Sequence, residues 1–120
     1  SLPPSSIGCR IRGQLAHHVG KTAEVQLTLS MAADLGPKIR VNAVLPTAVL
    51  TDRLRWYFEE KGNNFDSIIA GIRLGRMATP DDVGYAVQFL ASPAASYITA
   101  CLFEMDGGPV DEGTPMFADL

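Results

Sequence analysis

"LGPKIRVNAVLPTAVLT", residues Leu35 to Thr51, decides the fold. A glycine followed directly by a proline is how a helix ends, so Gly36 is expected as a left-handed cap and Pro37 as the breaker. The next run, Lys38 to Leu45, is short and β-branched, with apolar residues at Ile39, Val41, Ala43, Val44 and Leu45 between Pro37 and Pro46. Its nearly continuous apolar second half predicts a strand buried on both faces, as parallel strands are. A parallel strand needs a partner reached through a crossover, and the flanking sequence supplies one.

Upstream, Ala16, Ala23, Leu27, Met31 and Leu35 recur at helical spacing and predict a helix from about Ala16 to Leu35. Gly20 takes a small slot in that stripe. Val19, Val25, Leu29 and Ala32 widen the apolar surface, so the helix is expected to pack on two sides. Downstream, Pro46 to Met77 reads as a loop and two short helices separated by the Gly62-Asn63-Asn64 turn. "TPDDVGYAVQFLAS" is the clearest helix signal: Thr79 can cap, Pro80 fits the first position, and Asp81 and Asp82 favour the positive helix end. Ser92 and Pro93 stop it. A second strand, about Ala100 to Met105, ends at Gly107-Gly108, and the two strands are expected to be parallel with a right-handed crossover.

The totals bound the function. A chain of 120 residues holds one small domain, and 47% hydrophobic against 19% charged residues describes a globular chain rather than a disordered one. Ten basic and thirteen acidic residues give a net charge of -3 without a basic cluster, which argues against nucleic acid and anionic membranes. Cys9 and Cys101 stand apart with no companions at metal-ligand spacing, so they read as thiols in a reducing compartment and no metal site is expected. "SLPPSSIGCR" lacks a signal peptide's apolar centre, and no later run is long enough to span a bilayer; a cytoplasmic location is the expectation.

Three ordered blocks carry a resemblance. "LGPKIRVNAVLPTAVLT", "RLGRMATPDDVGYAVQFLAS" and "SYITACLFEMDGG" resemble, in order, the nicotinamide-loop strand, the segment leading into the penultimate helix and the last strand of a classical short-chain dehydrogenase/reductase. The resemblance runs from about Ser5 to Gly108. It implies an α/β chain forming part of a Rossmann-like, doubly wound parallel sheet, the C-terminal half only. Residues 1–14 would be an N-terminal segment, 15–108 the half-domain and 109–120 an acidic tail expected to fold over a neighbouring subunit or to be disordered. Two parallel strands cannot close such a sheet alone, so the chain is expected to belong to a larger fold or to complete its sheet with another chain.

The family's activity is hydride transfer between NAD or NADP and an alcohol or carbonyl. Its catalytic pair is Tyr-x-x-x-Lys; the matching lysine is Lys21 in "HHVGK", which puts His17 where the tyrosine would be. Residues four apart share a helix face, where an ammonium can stabilise a phenolate. The resemblance further implies Ser5 or Ser6 as the group orienting the substrate oxygen and Lys21 as a ribose ligand. Pro46, Thr47, Val49 and Thr51 would form the nicotinamide loop, with Pro46-Thr47 in place of the family's Pro-Gly. The glycine-rich pyrophosphate loop and the acidic ribose reader have no counterpart among these blocks, so a dinucleotide would be held here by its nicotinamide end.

Each residue also has a plainer reading. His17 and His18 face different ways on a helix and serve equally as exposed residues. Lys21 fits a solvated helix position, and Ser5 and Ser6 fit an ordinary polar segment. Trp56, Tyr57 and Phe58 fit a substrate lid, core packing or a subunit contact. Glu104, inside an apolar strand, calls for an edge or interface position. Two functions therefore stand: an oxidoreductase with impaired chemistry in this chain, or a non-catalytic relative acting through homo-oligomers or a complementary family chain. A third origin, a fragment of a complete enzyme, would be settled by the coding region upstream.

Overall fold

The computed structural model describes residues 15–108; Ser5, Ser6, Cys9 and the acidic tail lie outside the described residues. Helix α1 spans Leu15–Leu35, β1 Ala43–Pro46, α2 Asp52–Glu60, α3 Asp66–Ala70, α4 Pro80–Ala91 and β2 Leu102–Met105, with a 3-10 turn at Pro93–Ala95. The strands pair in parallel, Ala43 opposite Leu102 through Pro46 opposite Met105. This is an α/β arrangement on a parallel sheet, two-stranded among the described residues.

The strands are shorter than the sequence pattern predicts, and side chains are the reason. Ahead of β1, the Val41 N–H donates to the Thr99 hydroxyl at 3.1 Å, and the Cys101 N–H donates to Asn42 Oδ1 at 3.0 Å. Ala100 adopts a left-handed backbone with φ 56° while donating its N–H to Val41 O. That conformation breaks the extended geometry on which a ladder depends, so regular pairing starts two residues later. Asn42 completes the brace by donating Nδ2 to Ile98 O at 3.0 Å, and Arg40 reaches Ile98 O at 3.1 Å.

The expected left-handed cap at Gly36 is corrected: Gly36 is not among the positive-φ residues. Its N–H donates to Ala32 O, and the Lys38 and Ile39 N–H groups both donate to Leu35 O, so overlapping turns satisfy the helix end. The small slot expected at Gly20 is corrected too, since a side chain there would meet nothing within 4 Å. Packing of α1 on two sides is likewise not found among the described residues: Ala32 is its one buried residue. A helix reads as two-sided when its apolar stripe is wide, but the surface that covers a stripe is not encoded in the stripe.

Most burial sits elsewhere. Ala48, Phe58, Ile68, Ile72 and Met77 form one cluster, with Leu50, Leu54, Phe65 and Ile69 packed around it. Phe58 and Phe65 stack with centroids 4.5 Å apart. This lobe is tied to the end of β2 by Arg73 N–H to Gly108 O at 2.7 Å and Leu74 N–H to Gly107 O at 3.1 Å. Gly107 is required there: its φ is +70°, and a Cβ would lie 2.5 Å from Ile72 Cγ2. Helix α4 contacts β1 and the 3-10 turn, and its buried residues are Ala86 and Leu90.

Candidate functional site

The loop after β1 leaves the sheet at the C-terminal end of a parallel strand, where open α/β sheets bind their ligands. Pro46 has no N–H to donate. The Thr47 N–H donates to Met105 O at 3.2 Å, which ties the loop to the end of β2. Ala48 turns into the lobe core, and Val49 forms a parallel bridge with Ala78. Leu50 N–H to Ala78 O at 2.8 Å and Ala78 N–H to Ala48 O at 2.9 Å make that bridge. Thr51 caps α2 by accepting the Leu54 N–H at 3.2 Å. The loop is thus held on both sides by backbone bonds.

One polar group in it is unsatisfied: Thr47 Oγ1 is buried and has no hydrogen-bond partner. A desolvated hydroxyl costs about 1–3 kcal/mol when unpaired. A nicotinamide dinucleotide carries a polar amide edge, and an orphaned hydroxyl is the kind of group that such an edge would satisfy. Beside the loop, a cavity of about 180 Å³ is lined by Ala48, Ile72, Arg76, Met105, Asp106 and Gly107 among others.

Arg76 is fully engaged at the rim of that cavity. Its guanidinium makes a two-pronged pair with Asp82, Nη1 to Oδ2 at 2.7 Å and Nη2 to Oδ1 at 3.1 Å. Asp82 simultaneously accepts the Thr79 N–H at 2.7 Å, while Thr79 Oγ1 accepts the Asp82 N–H at 3.2 Å. That reciprocal exchange is a capping box on α4. The Arg76 bonds, followed by the Thr79 N–H and hydroxyl, hold the Asp82 carboxyl far below the usual carboxylate range, and Asp82 in turn raises Arg76.

The second group of expected site residues lies on α1. His17 is exposed and His18 half-buried, and their rings meet edge to face, centroids 5.9 Å apart. Lys21 does not stand free: its Nζ donates to Glu24 Oε2 at 2.8 Å, and both side chains are more than half exposed, at 51% and 66%. Glu24 is the residue that sequence reasoning missed, although a carboxylate three places after a lysine on a helix is a readable signal. Arg76 was missed as well, because its partner is fixed by a turn rather than by helical spacing. Of the aromatic trio, Phe58 belongs to the core and Trp56 is exposed. Among the described residues, no group of three His, Cys, Asp or Glu could hold a metal, and no helix is long and apolar enough to cross a membrane.

A family model described as enoyl-(acyl carrier protein) reductase matches residues 5–109. The chain belongs to the short-chain dehydrogenase/reductase family. It is 36% identical to galactitol 2-dehydrogenase (L-tagatose-forming) of Cereibacter sphaeroides, covering 78% of this chain and 37% of that protein. It is 39% identical to the inactive 2-(S)-hydroxypropyl-CoM dehydrogenase 2 of Xanthobacter autotrophicus, covering 82% of this chain and 44% of that one. Among solved structures, 4-hydroxyisoleucine dehydrogenase complexed with NADH superposes with a TM-score of 0.67 at 33% identity, over 78% of this chain and 39% of that chain. The chain therefore spans well under half the length of these relatives, and its parallel sheet is part of the family's Rossmann fold. Members of the family are oxidoreductases that use NAD(P).

Proposed function

We propose that residues 15–108 are the C-terminal half of a short-chain dehydrogenase/reductase unit, flanked by the segments 1–14 and 109–120. The unit would serve NAD(P)-dependent hydride transfer to or from an alcohol or carbonyl, with the proton chemistry impaired in this chain. The observation that carries the reading is the pairing on α1: the lysine one turn after His17 is bound to Glu24 at 2.8 Å, with a histidine where a phenol is expected. When bound, the dinucleotide supplies the hydride. Pro46, Thr47, Val49 and Thr51 take its nicotinamide end, Lys21 its ribose, and Ser5 or Ser6 the substrate oxygen.

A proton must still reach the developing alkoxide. A histidine at position 17 does not supply the phenol through which the family's proton transfer runs. Tyr57 lies on α2, Tyr85 on α4 and Tyr97 after the 3-10 turn, all in other blocks. The unit works in the cytoplasm, as a homo-oligomer or with a complementary family chain.

A second reading, a non-catalytic partner acting through oligomerisation, is favoured by the exposure of Leu15, Val19, Leu27 and Met31 on α1. Titration with NADH and NADPH, alongside native mass measurement, separates the two. Micromolar binding by the 120-residue chain overturns the partner reading. No binding together with a stable homodimer overturns the enzyme reading. His17→Tyr, with the complementary half supplied in trans, is expected to yield carbonyl reduction where the unmodified chain yields none.

A further inference from the structure

We propose that the cavity at the end of β2 is a binding site for a small organic ammonium, with its apolar body against Ala48, Ile72 and Met105 and its N–H groups on the Asp106 carboxylate. The cavity has a volume of about 180 Å³. An apolar protein cavity of ~150 Å³ takes up benzene, so a body the size of one ring fits here. The walls are held from two sides. Ala48 and Ile72 are buried in the lobe core, and Gly107 O accepts the Leu74 N–H at 3.1 Å. The lining includes no residue of α1 and none of Pro46, Thr47, Val49 or Thr51, so this site stands or falls apart from the function proposed above.

The charges around the cavity select the head group. Three ionisable side chains line it, Arg76, Asp82 and Asp106. Arg76 and Asp82 neutralise each other through bonds of 2.7 and 3.1 Å, and Asp82 also accepts the Thr79 N–H. Asp106 is left with the uncompensated charge. It is half-buried, and among the described residues its hydrogen bond is the one that Oδ1 accepts from the Gly108 N–H at 2.9 Å. A carboxylate offers about four acceptor positions, so most of its capacity is unused. A charge partly withdrawn from water beside apolar walls favours a partner of opposite sign. An anion would meet two carboxylates and one engaged cation, and is disfavoured. A metal ion would find no group of three ligating side chains among the described residues. A quaternary ammonium brings no N–H to the carboxylate, and the lining has no aromatic ring to take its place. A primary ammonium brings both the charge and three donors.

The test titrates the full chain with benzylammonium, and with benzyl alcohol, benzoate and benzyltrimethylammonium for comparison. Binding is followed by NMR at the Met105 methyl and the Gly107 amide, both in the cavity wall. Benzylammonium is expected to bind about tenfold more tightly than benzyl alcohol, because a hydrogen bond to a charged group is worth more than one between neutral groups. Benzoate and benzyltrimethylammonium should fall behind it by at least as much. Asp106→Asn keeps the Oδ1 acceptor for the Gly108 N–H and removes the charge. It should weaken benzylammonium about tenfold and leave benzyl alcohol within about twofold. Should that variant not fold, the ranking of the four probes on wild type carries the test. Met105 and Gly107 signals that benzylammonium leaves unmoved overturn the proposal, and so does equal affinity for benzylammonium and benzyl alcohol. Wild-type affinity for benzylammonium in Asp106→Asn overturns the carboxylate's part, and with it the ligand class.

Discussion

The lobe between β1 and α4 and the helix α1 solve the same problem in opposite ways. In the lobe, short helices with little propensity of their own are held by a shared core of Phe58, Ile68, Ile72 and Met77 and by long-range backbone bonds to β2. In α1, the polar side chains look inward to their own helix: Thr22 donates to His18 O, Thr28 to Glu24 O, Gln26 to Ser30 and Lys21 to Glu24. Leu15, Val19, Leu27 and Met31 stay exposed, Leu27 at 58%. A helix of 21 residues is long enough to be sustained by local bonds, whereas one of five residues is not. The contrast teaches that length can stand in for packing, and that the two regions should respond differently to the loss of an apolar side chain.

Phe58→Ala is the substitution that should break the lobe. Phe58 is 3% exposed and stacked on Phe65, so truncation loses buried area, leaves a cavity and removes the ring pair. The expected cost is about 3–5 kcal/mol, read from urea denaturation followed by circular dichroism. A cost below about 1 kcal/mol would mean that the lobe core is not what holds α2 and α3.

A smaller effect should come from the α4 cap. Thr79→Ala removes the acceptor of the Asp82 N–H and should cost about 1 kcal/mol at neutral pH. The same site sets an acid limb. The Asp82 carboxyl is held below its unfolded value by Arg76 and Thr79, so its contribution is fully present above about pH 4 and is lost as pH falls toward the folded value. Asp82→Asn should therefore lower the thermal midpoint at pH 7 and flatten its decline between about pH 4 and pH 2. An unchanged acid decline in the variant would assign that limb to other carboxylates.

Legibility in the sequence followed the range of the interaction. The α4 cap was readable because Thr79, Pro80 and Asp82 act within one turn of chain. The parallel strands were readable as apolar runs between breakers. The strand starts were not readable, because Asn42 and Arg40 bind backbone groups more than 50 residues away, at Ile98, Cys101 and Ser92. Nor was the orphaned hydroxyl of Thr47: a threonine after a proline carries no sign of whether its oxygen will find a partner. The Lys21–Glu24 pair is legible as an i,i+3 relation on one helix face.

The smallest expected effect completes the contrast. Val19→Gln and Leu27→Gln replace exposed apolar residues of α1 with a residue that is at ease in a helix. In the isolated chain, each should change denaturation stability by no more than about 0.5 kcal/mol, because little area returns to water. An apolar helix face that a second chain covers behaves otherwise: its loss weakens assembly, and stability then depends on protein concentration. Sedimentation velocity and urea denaturation, each across a dilution series, read assembly and stability respectively. The expected result is an unchanged midpoint at low concentration together with loss of any heavier species formed by wild type. A midpoint that falls by the same amount at every concentration would instead show that α1 is packed within its own chain, and the opposition between the two regions would be lost.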